Sequence, residues 1–238
     1  MRIDKPILEG ILLRRYKRFL ADIELDDGTQ LTAHCPNPGG MLGCKEPGSR
    51  VALRDSQDPK RKLRYTFQTI LVGDTWVNVD TGLPNALVFE AVEADAIPEL
   101  TGYDTARREV KYGQNSRIDI LLERESGERC YVEVKNTTLA RGTTALFPDA
   151  KTARGLKHLG ELADMVREGH RAVQFFLVSR DDVNGFAPAD DIDPAYGAGL
   201  REAAAAGVEL LAYSTHATPS TLEIVQSLPV ELDAPVRT

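Results

Sequence analysis

Residues 117 to 135 read Arg-Ile-Asp-Ile-Leu-Leu-Glu-Arg-Glu-Ser-Gly-Glu-Arg-Cys-Tyr-Val-Glu-Val-Lys. Two apolar runs rich in branched and aromatic residues flank a turn, the pattern of a β-hairpin. A three-residue loop, Glu125-Ser126-Gly127, puts glycine where a turn-plus-bulge hairpin needs a left-handed residue. That loop sets Asp119 directly opposite Glu133. Side chains two apart share a face of a strand, so Lys135 joins the two acids while Val132 and Val134 point into the core. Like charges facing each other destabilise a sheet, and a hard divalent cation between Asp119 and Glu133 would remove the conflict. Two other readings compete. The three residues could form an ordinary polar face, with Lys135 balancing the acids. A two-residue Ser126-Gly127 loop would instead slip the register by one, set Val134 opposite Asp119 and break the constellation.

The chain has 238 residues, 42% hydrophobic and 27% charged, enough to bury one sizeable core or two smaller ones. No apolar run approaches the length of a membrane span and no signal peptide opens the chain, so a cytoplasmic protein with no membrane partner is expected. Cys35, Cys44 and Cys130 are an odd number without a C-x-x-C pair, which argues against a disulfide framework and a structural zinc site.

The net charge of −7 is unevenly placed: residues 1–82 carry 13 Lys+Arg against 11 Asp+Glu, and residues 83–238 carry 16 against 25. Two clusters mark the basic part. Arg14, Arg15, Lys17 and Arg18 surround Tyr16 and Phe19, and Lys60, Arg61, Lys62 and Arg64 precede Tyr65. Cations interleaved with aromatics suit phosphates and stackable bases, although a solvated charged surface would look the same.

Short strand-like runs at about 8–18, 19–25, 29–34, 50–54, 65–72 and 75–79 alternate with turn signals, which predicts a small OB-like barrel over residues 1–82. The Pro/Gly-rich stretch from Pro36 to Gly43 is irregular, and its glycines would let backbone approach a ligand closely. Asn37 and His34 at its edge are turn-former and structural residue, or contacts. Residues 83–238 form the second expected domain. Asn85 is expected to cap a helix over about 86–97, a strand covers 107–112 and the hairpin follows. A helix opening at Pro148-Asp149, with Asp149 as its N-cap, ends at Gly169. A doubly buried strand then covers 172–178, and a helix at 194–206 leads to a strand at 208–213. The order is αβββαβ with an extra α-β. The fold class is therefore mixed α/β.

An acid on the second strand and Glu-x-Lys on the third resemble the core of the PD-(D/E)XK nuclease superfamily. Over nearly its whole length the chain also resembles the sugar fermentation stimulation protein family. The likeness rests on Arg15-Tyr-Lys-Arg-Phe-Leu-Ala-Asp22, His34-Cys-Pro-Asn37 with its glycines, Leu100-Thr-Gly-Tyr103, Glu109-Val-Lys-Tyr-Gly113, Ser116-Arg-Ile-Asp119, Tyr131-Val-Glu-Val-Lys135, Phe147-Pro-Asp-Ala150 and Arg154-Gly-Leu-Lys-His-Leu159. The resemblance implies an N-terminal OB-like domain, a restriction-endonuclease-like C-terminal domain, DNA binding and a role in regulating genes for sugar (maltose-type) utilisation. By the same resemblance Asp119, Glu133 and the Val134 carbonyl would hold Mg²⁺ or Mn²⁺, Lys135 would act on the attacking water, and Glu109 would complete the site. Contacts to nucleic acid would come from the two basic clusters, Asn37, Arg117, Arg154 and Lys157, with Arg154 and His158 sharing a helix face. A metal-dependent nuclease, a non-cleaving DNA-binding regulator and a carbohydrate or small-ligand module all stay open, as do RNA as partner and a homodimer.

Overall fold

A computed structural model describes residues 1–113 and 116–233. The end of the expected second domain, residues 234–238, lies outside the described residues. Six strands open the chain: β1 (Ile7–Tyr16), β2 (Leu20–Leu25), β3 (Gln30–His34), β4 (Arg50–Asp55), β5 (Tyr65–Val72) and β6 (Thr75–Asn78). They run in the order β3-β2-β1-β4-β5-β6, and His34 beside Thr66 joins β3 to β5. Five strands thus close into the expected OB-like barrel, which leaves none of the five an open edge. Leu12, Ile23, Val51, Leu53, Phe67 and Ile70 fill it.

The Pro/Gly-rich loop is held from both sides. Cys35, Met41 and Cys44 are buried in the barrel core. The Arg15 guanidinium donates to the carbonyls of Asn37 and Gly39 at 2.9 and 3.1 Å. Across the chain, Asp149 accepts the Met41 N–H at 2.8 Å. A Cβ on Gly39 would lie 2.4 Å from Asp149 Oδ1, and one on Gly40 would lie 2.7 Å from the Asp149 carbonyl oxygen. The close approach expected of these glycines is therefore made to Asp149. Asp149 in turn is not a helix cap, because the helix it precedes starts later.

A strained turn joins β1 to β2. Lys17 and Arg18 both have left-handed backbones, φ 46° and 64°. Without a glycine or asparagine at either position, each costs roughly 1 kcal/mol.

The rest of the chain is a mixed sheet with helices on it. Helix α1 (Pro84–Glu93) begins after Leu83, which makes no side-chain cap. Asn85 lies inside its first turn and is not the cap that was expected. Strands β7 (Thr105–Tyr112), β8 (Ser116–Glu123) and β9 (Arg129–Thr137) follow, then two short strands, β10 (Leu139–Arg141) and β11 (Thr144–Phe147). Helix α2 (Ala153–Arg167) is capped by Thr152, whose hydroxyl accepts the Gly155 N–H at 3.1 Å. Strand β12 (Arg171–Val178), strand β13 (Gly185–Pro188), helix α3 (Pro194–Ala205), strand β14 (Glu209–Ala217) and strand β15 (Leu222–Leu228) complete the order. The large sheet runs β15-β14-β12-β9-β8-β7, while β10, β11 and β13 make a small one. In its centre β9, β12 and β14 are parallel, which explains why β12 is apolar on both faces. Leu159, Leu162, Phe176 and Tyr196 pack on the α2–α3 face, and Leu87, Val88, Val132 and Phe175 on the α1 face.

The hairpin register is the expected one: Ile120 faces Val132 and Glu123 faces Arg129, around Gly127 at φ 89°. That excludes the one-residue slip.

Gly39→Ala should lower stability by roughly 2 kcal/mol, seen as a fall of about 6 °C in Tm. Paired with Asp149→Ala it should cost less than the sum of the two single changes, because the added methyl group then has room.

Candidate metal and nucleic-acid site

Strand β8 pairs with β9 as far as Ile120 and Val132. At the next residue the Asp119 carboxylate, not a backbone carbonyl, accepts the Val134 N–H, at 2.7 Å. The other oxygen of Asp119 accepts the Asn85 amide from α1 at 2.6 Å. Glu133 is 2% exposed. Its Oε1 meets Lys135 Nζ at 2.6 Å and Nδ1 of His158 from α2, and its backbone carbonyl accepts the Gln174 amide at 2.9 Å. Arg154 Nε donates to His158 Nε2 at 3.3 Å, which places the ring proton on Nδ1, toward Glu133. Lys135 Nζ is also 3.3 Å from His158 Nδ1.

Burial and the charge of Glu133 push Asp119 up to about 6, against the Val134 N–H and Lys135. Burial also raises Glu133, but the His158 hydrogen bond and the Lys135 charge outweigh it and hold Glu133 below the usual carboxylate range. Two tyrosines lie underneath. Tyr112 is raised by burial and by the charges of Glu133, Glu161 and Asp119, and Tyr196 by burial and Glu133.

The opening above these groups has a volume of about 550 Å³. Its walls come from both parts of the chain: Arg18, Asn37 and Gly39 from the barrel side, and Lys135, Phe147 and Arg154 from the other. Glu109 and Arg117 border the adjoining depression with Asp119 and His158. Glu109 is exposed and left-handed at φ 55°, on β7 between the paired residues Arg108 and Val110.

The other expected contacts differ in availability. Arg14 is paired with Asp22 at 2.8 Å and Arg64 with Asp55 at 2.5 Å. Arg15 is engaged inside the fold, as above. Asn37 is 5% exposed and its side-chain oxygen accepts the Gly39 N–H at 2.8 Å, a turn-forming role. Lys17, Arg18, Lys60, Arg61 and Lys62 are exposed, with Arg61 3.4 Å from the Thr66 hydroxyl. Lys157 meets the Ser116 hydroxyl at 3.1 Å and Glu161 at 3.2 Å.

Sequence reasoning missed the role of His158 beside Glu133. Its spacing from Arg154 put the two on one helix face, but only the packing of α2 on β9 brings that face to the acids. Asn85 was missed for the same reason.

Whether the residues suit a cation turns on one atom. Glu133 Oε2 is buried without a hydrogen-bond partner among the described residues, and an anionic oxygen so placed is costly. The donors nearby are hard oxygens, which fits Mg²⁺, Mn²⁺ or Ca²⁺. Among the described residues no group of three or more His, Cys, Asp or Glu side chains is arranged around one point as metal ligands, so the Val134 carbonyl or water would have to complete any shell.

The family model for the sugar fermentation stimulation protein RE domain matches residues 82–221, and the SfsA N-terminal OB domain matches residues 13–79. The chain belongs to the sugar fermentation stimulation protein family. A homologue from Geobacter sulfurreducens is 54% identical over 230 residues, 97% of this chain and 98% of the relative. One from Paramagnetospirillum magneticum is 50% identical over 232 residues, 98% of both. The solved structure of Pyrococcus furiosus SfsA, in complex with Ca²⁺, superposes with TM-score 0.86 at 28% identity, covering 97% of this chain and 99% of that one. The OB-like barrel and the mixed α/β class are thus family properties. Among the described residues no helix is long and apolar enough to cross a membrane.

A raised acid stabilises the fold below its unfolded value, and that contribution is lost as pH rises through its folded value. For Asp119 the window runs from about 4 to about 6. In chelator, wild-type protein should therefore lose up to roughly 3 kcal/mol relative to Asp119→Ala between pH 4 and pH 7.5. Urea unfolding across that range measures it, and a difference that stays constant with pH would contradict the raising of Asp119 by burial and Glu133.

Proposed function

We propose that this protein is a DNA-binding, metal-dependent phosphodiesterase whose reacting centre is Asp119, Glu133 and Lys135. The observation that carries this is the buried, unpartnered Oε2 of Glu133, beside an acid held up to about 6 and an ammonium 2.6 Å from the same carboxylate. That the Pyrococcus relative was solved in complex with Ca²⁺ supports divalent-ion binding by this chain. Asp119, Glu133 and the Val134 carbonyl would hold Mg²⁺ or Mn²⁺, and Glu109 would approach from β7. When bound, such an ion polarises a phosphate and makes a nearby water more acidic.

The chain's own residues do the remaining work. Lys135 orients the attacking water and offsets charge developing on the phosphate. Arg154 is tethered through Nε to His158, which leaves its terminal N–H groups to bind a phosphate oxygen in the cleft. Arg117 and Lys157 border the adjoining depression, and Lys60, Arg61 and Lys62 are exposed cations suited to more distant phosphates.

One observation favours a second reading, a DNA-binding regulator of sugar utilisation that does not cut. Both oxygens of Asp119 and one of Glu133 are already satisfied by protein donors, so the centre can rest without a cation.

Cleavage of labelled DNA with Mg²⁺ or Mn²⁺ but not with chelator is expected, and Glu133→Ala or Lys135→Ala should reduce it at least about 100-fold. DNA binding that persists with no cleavage in either metal would favour the regulator. Phosphate contacts release counterions, so affinity should fall roughly tenfold or more between 50 and 200 mM salt. Salt-insensitive or absent binding would point to a carbohydrate or small-ligand module.

A further inference from the structure

The turn between β1 and β2 is built at a cost that folding does not require. Two successive left-handed residues in a hairpin turn are ordinarily Asn-Gly, yet in the three-residue loop between the paired Tyr16 and Leu20 they are Lys17-Arg18, at φ 46° and 64°. Strain kept at one place is a pointer to what that place does. The turn aims two groups in useful directions. Arg18 lines the cleft that holds Asp119, Glu133 and Lys135. The next residue, Phe19, is a large apolar side chain left 43% exposed, its ring 6.5 Å from that of His34 and tilted only 23° from it. Neighbouring cations on the same strand are engaged: Arg14 lies over Tyr16 and pairs with Asp22, and Arg15 holds the loop. Arg18 lines the cleft, and Phe19, the next residue in the chain, is exposed.

The cleft itself, about 550 Å³, is in the range that holds one small molecule. A single nucleotide with an unpaired base is a ligand of that size. An arginine at the wall and an exposed aromatic ring just outside it match a strand whose phosphate enters and whose next base stacks.

We infer that the Lys17-Arg18-Phe19 turn is a guide for single-stranded DNA: Arg18 binds a backbone phosphate at the cleft mouth and Phe19, backed by His34, stacks the adjoining base. This rests on the phosphodiesterase reading and assigns its substrate class, a single strand or a frayed end rather than intact duplex. The turn holds its strained shape because the shape delivers both side chains to one strand.

The test is binding by the full chain, without divalent metal, to a fluorescein-labelled 12-nucleotide single strand and to the same sequence as a duplex. Phe19→Ala should weaken single-strand binding about tenfold and duplex binding less than twofold, while Phe19→Trp retains it. The double variant Lys17→Asn/Arg18→Gly should raise Tm by a few degrees, because it relieves the turn, and yet weaken single-strand binding about tenfold or more. Equal loss on both DNA forms, unchanged single-strand affinity in either variant, or no single-strand binding by wild type would overturn the guide. None of these readouts uses cleavage. An inert metal site would therefore defeat the phosphodiesterase reading alone, and a failed guide would leave cleavage intact.

Discussion

The hydrogen bond from the Val134 N–H to the Asp119 carboxylate is where the sheet turns into a site. Up to Ile120 and Val132 the two strands exchange backbone hydrogen bonds, and one residue later a side chain takes over the acceptor's place. The ladder can end there without stranding a buried N–H, a group that would otherwise be expensive. In exchange a carboxylate is drawn into the protein beside Glu133. Everything else around the site answers the charge this creates: Asn85 from α1, Lys135 on the same strand as Glu133, and His158 from α2 backed by Arg154.

How much of this the sequence shows depends on the range of the interaction. The hairpin register follows from one loop and the alternation of Ile118, Ile120 and Leu122 against Val132 and Val134, all local, and it is the register observed. The six N-terminal strands were legible because turn signals separate them at short intervals. Interactions between distant segments were not. Asp149 reads as a cap because it precedes a helix, yet it accepts from Met41, 108 residues away. Asn85 reads as a cap for the same reason and instead reaches Asp119, 34 residues away. In both cases a short polar side chain near a helix start has a local and a remote partner to choose from, and tertiary packing decides. Strand β15 and the small sheet of β10, β11 and β13 were also missed. Their runs are short, and in β15 only Leu222 and Leu228 are buried while Glu223 and Val225 to Ser227 are exposed, so no clean period of two marks it.

The barrel and the sheet meet beside the cleft through the loop that follows β3, and elsewhere where the Asn78 N–H donates to the Ser179 carbonyl and the Gln68 amide to the Pro219 carbonyl. Arg15 and the buried Met41 hold that loop to the barrel, and Asp149 holds it to the segment before α2. Gly39 and Gly40 are needed because their backbones pass within touching distance of Asp149. The consequence is a cleft whose walls belong to both parts, so neither the acids alone nor the basic barrel alone defines what enters it. The charge split along the chain has the same sense: the acids sit in the more acidic part, and cations such as Arg18 reach the cleft from the other.

Asp119 and Glu133 are pushed in opposite directions by one set of neighbours. Lys135 and His158 both address Glu133, so the negative charge that remains falls on Asp119, which has only neutral donors. Such a pair titrates as a unit. A ligand that binds only the ionised form relieves its cost, and a divalent cation is such a ligand. Protons and cations would then compete for the same two carboxylates. The Oε2 of Glu133 makes the competition unequal, since of the four oxygens of the Asp119 and Glu133 carboxylates it alone has no donor among the described residues. An acid pair balanced this way can fold when empty and still leaves one oxygen for a cation to satisfy, the condition that the proposed reversible metal centre has to meet.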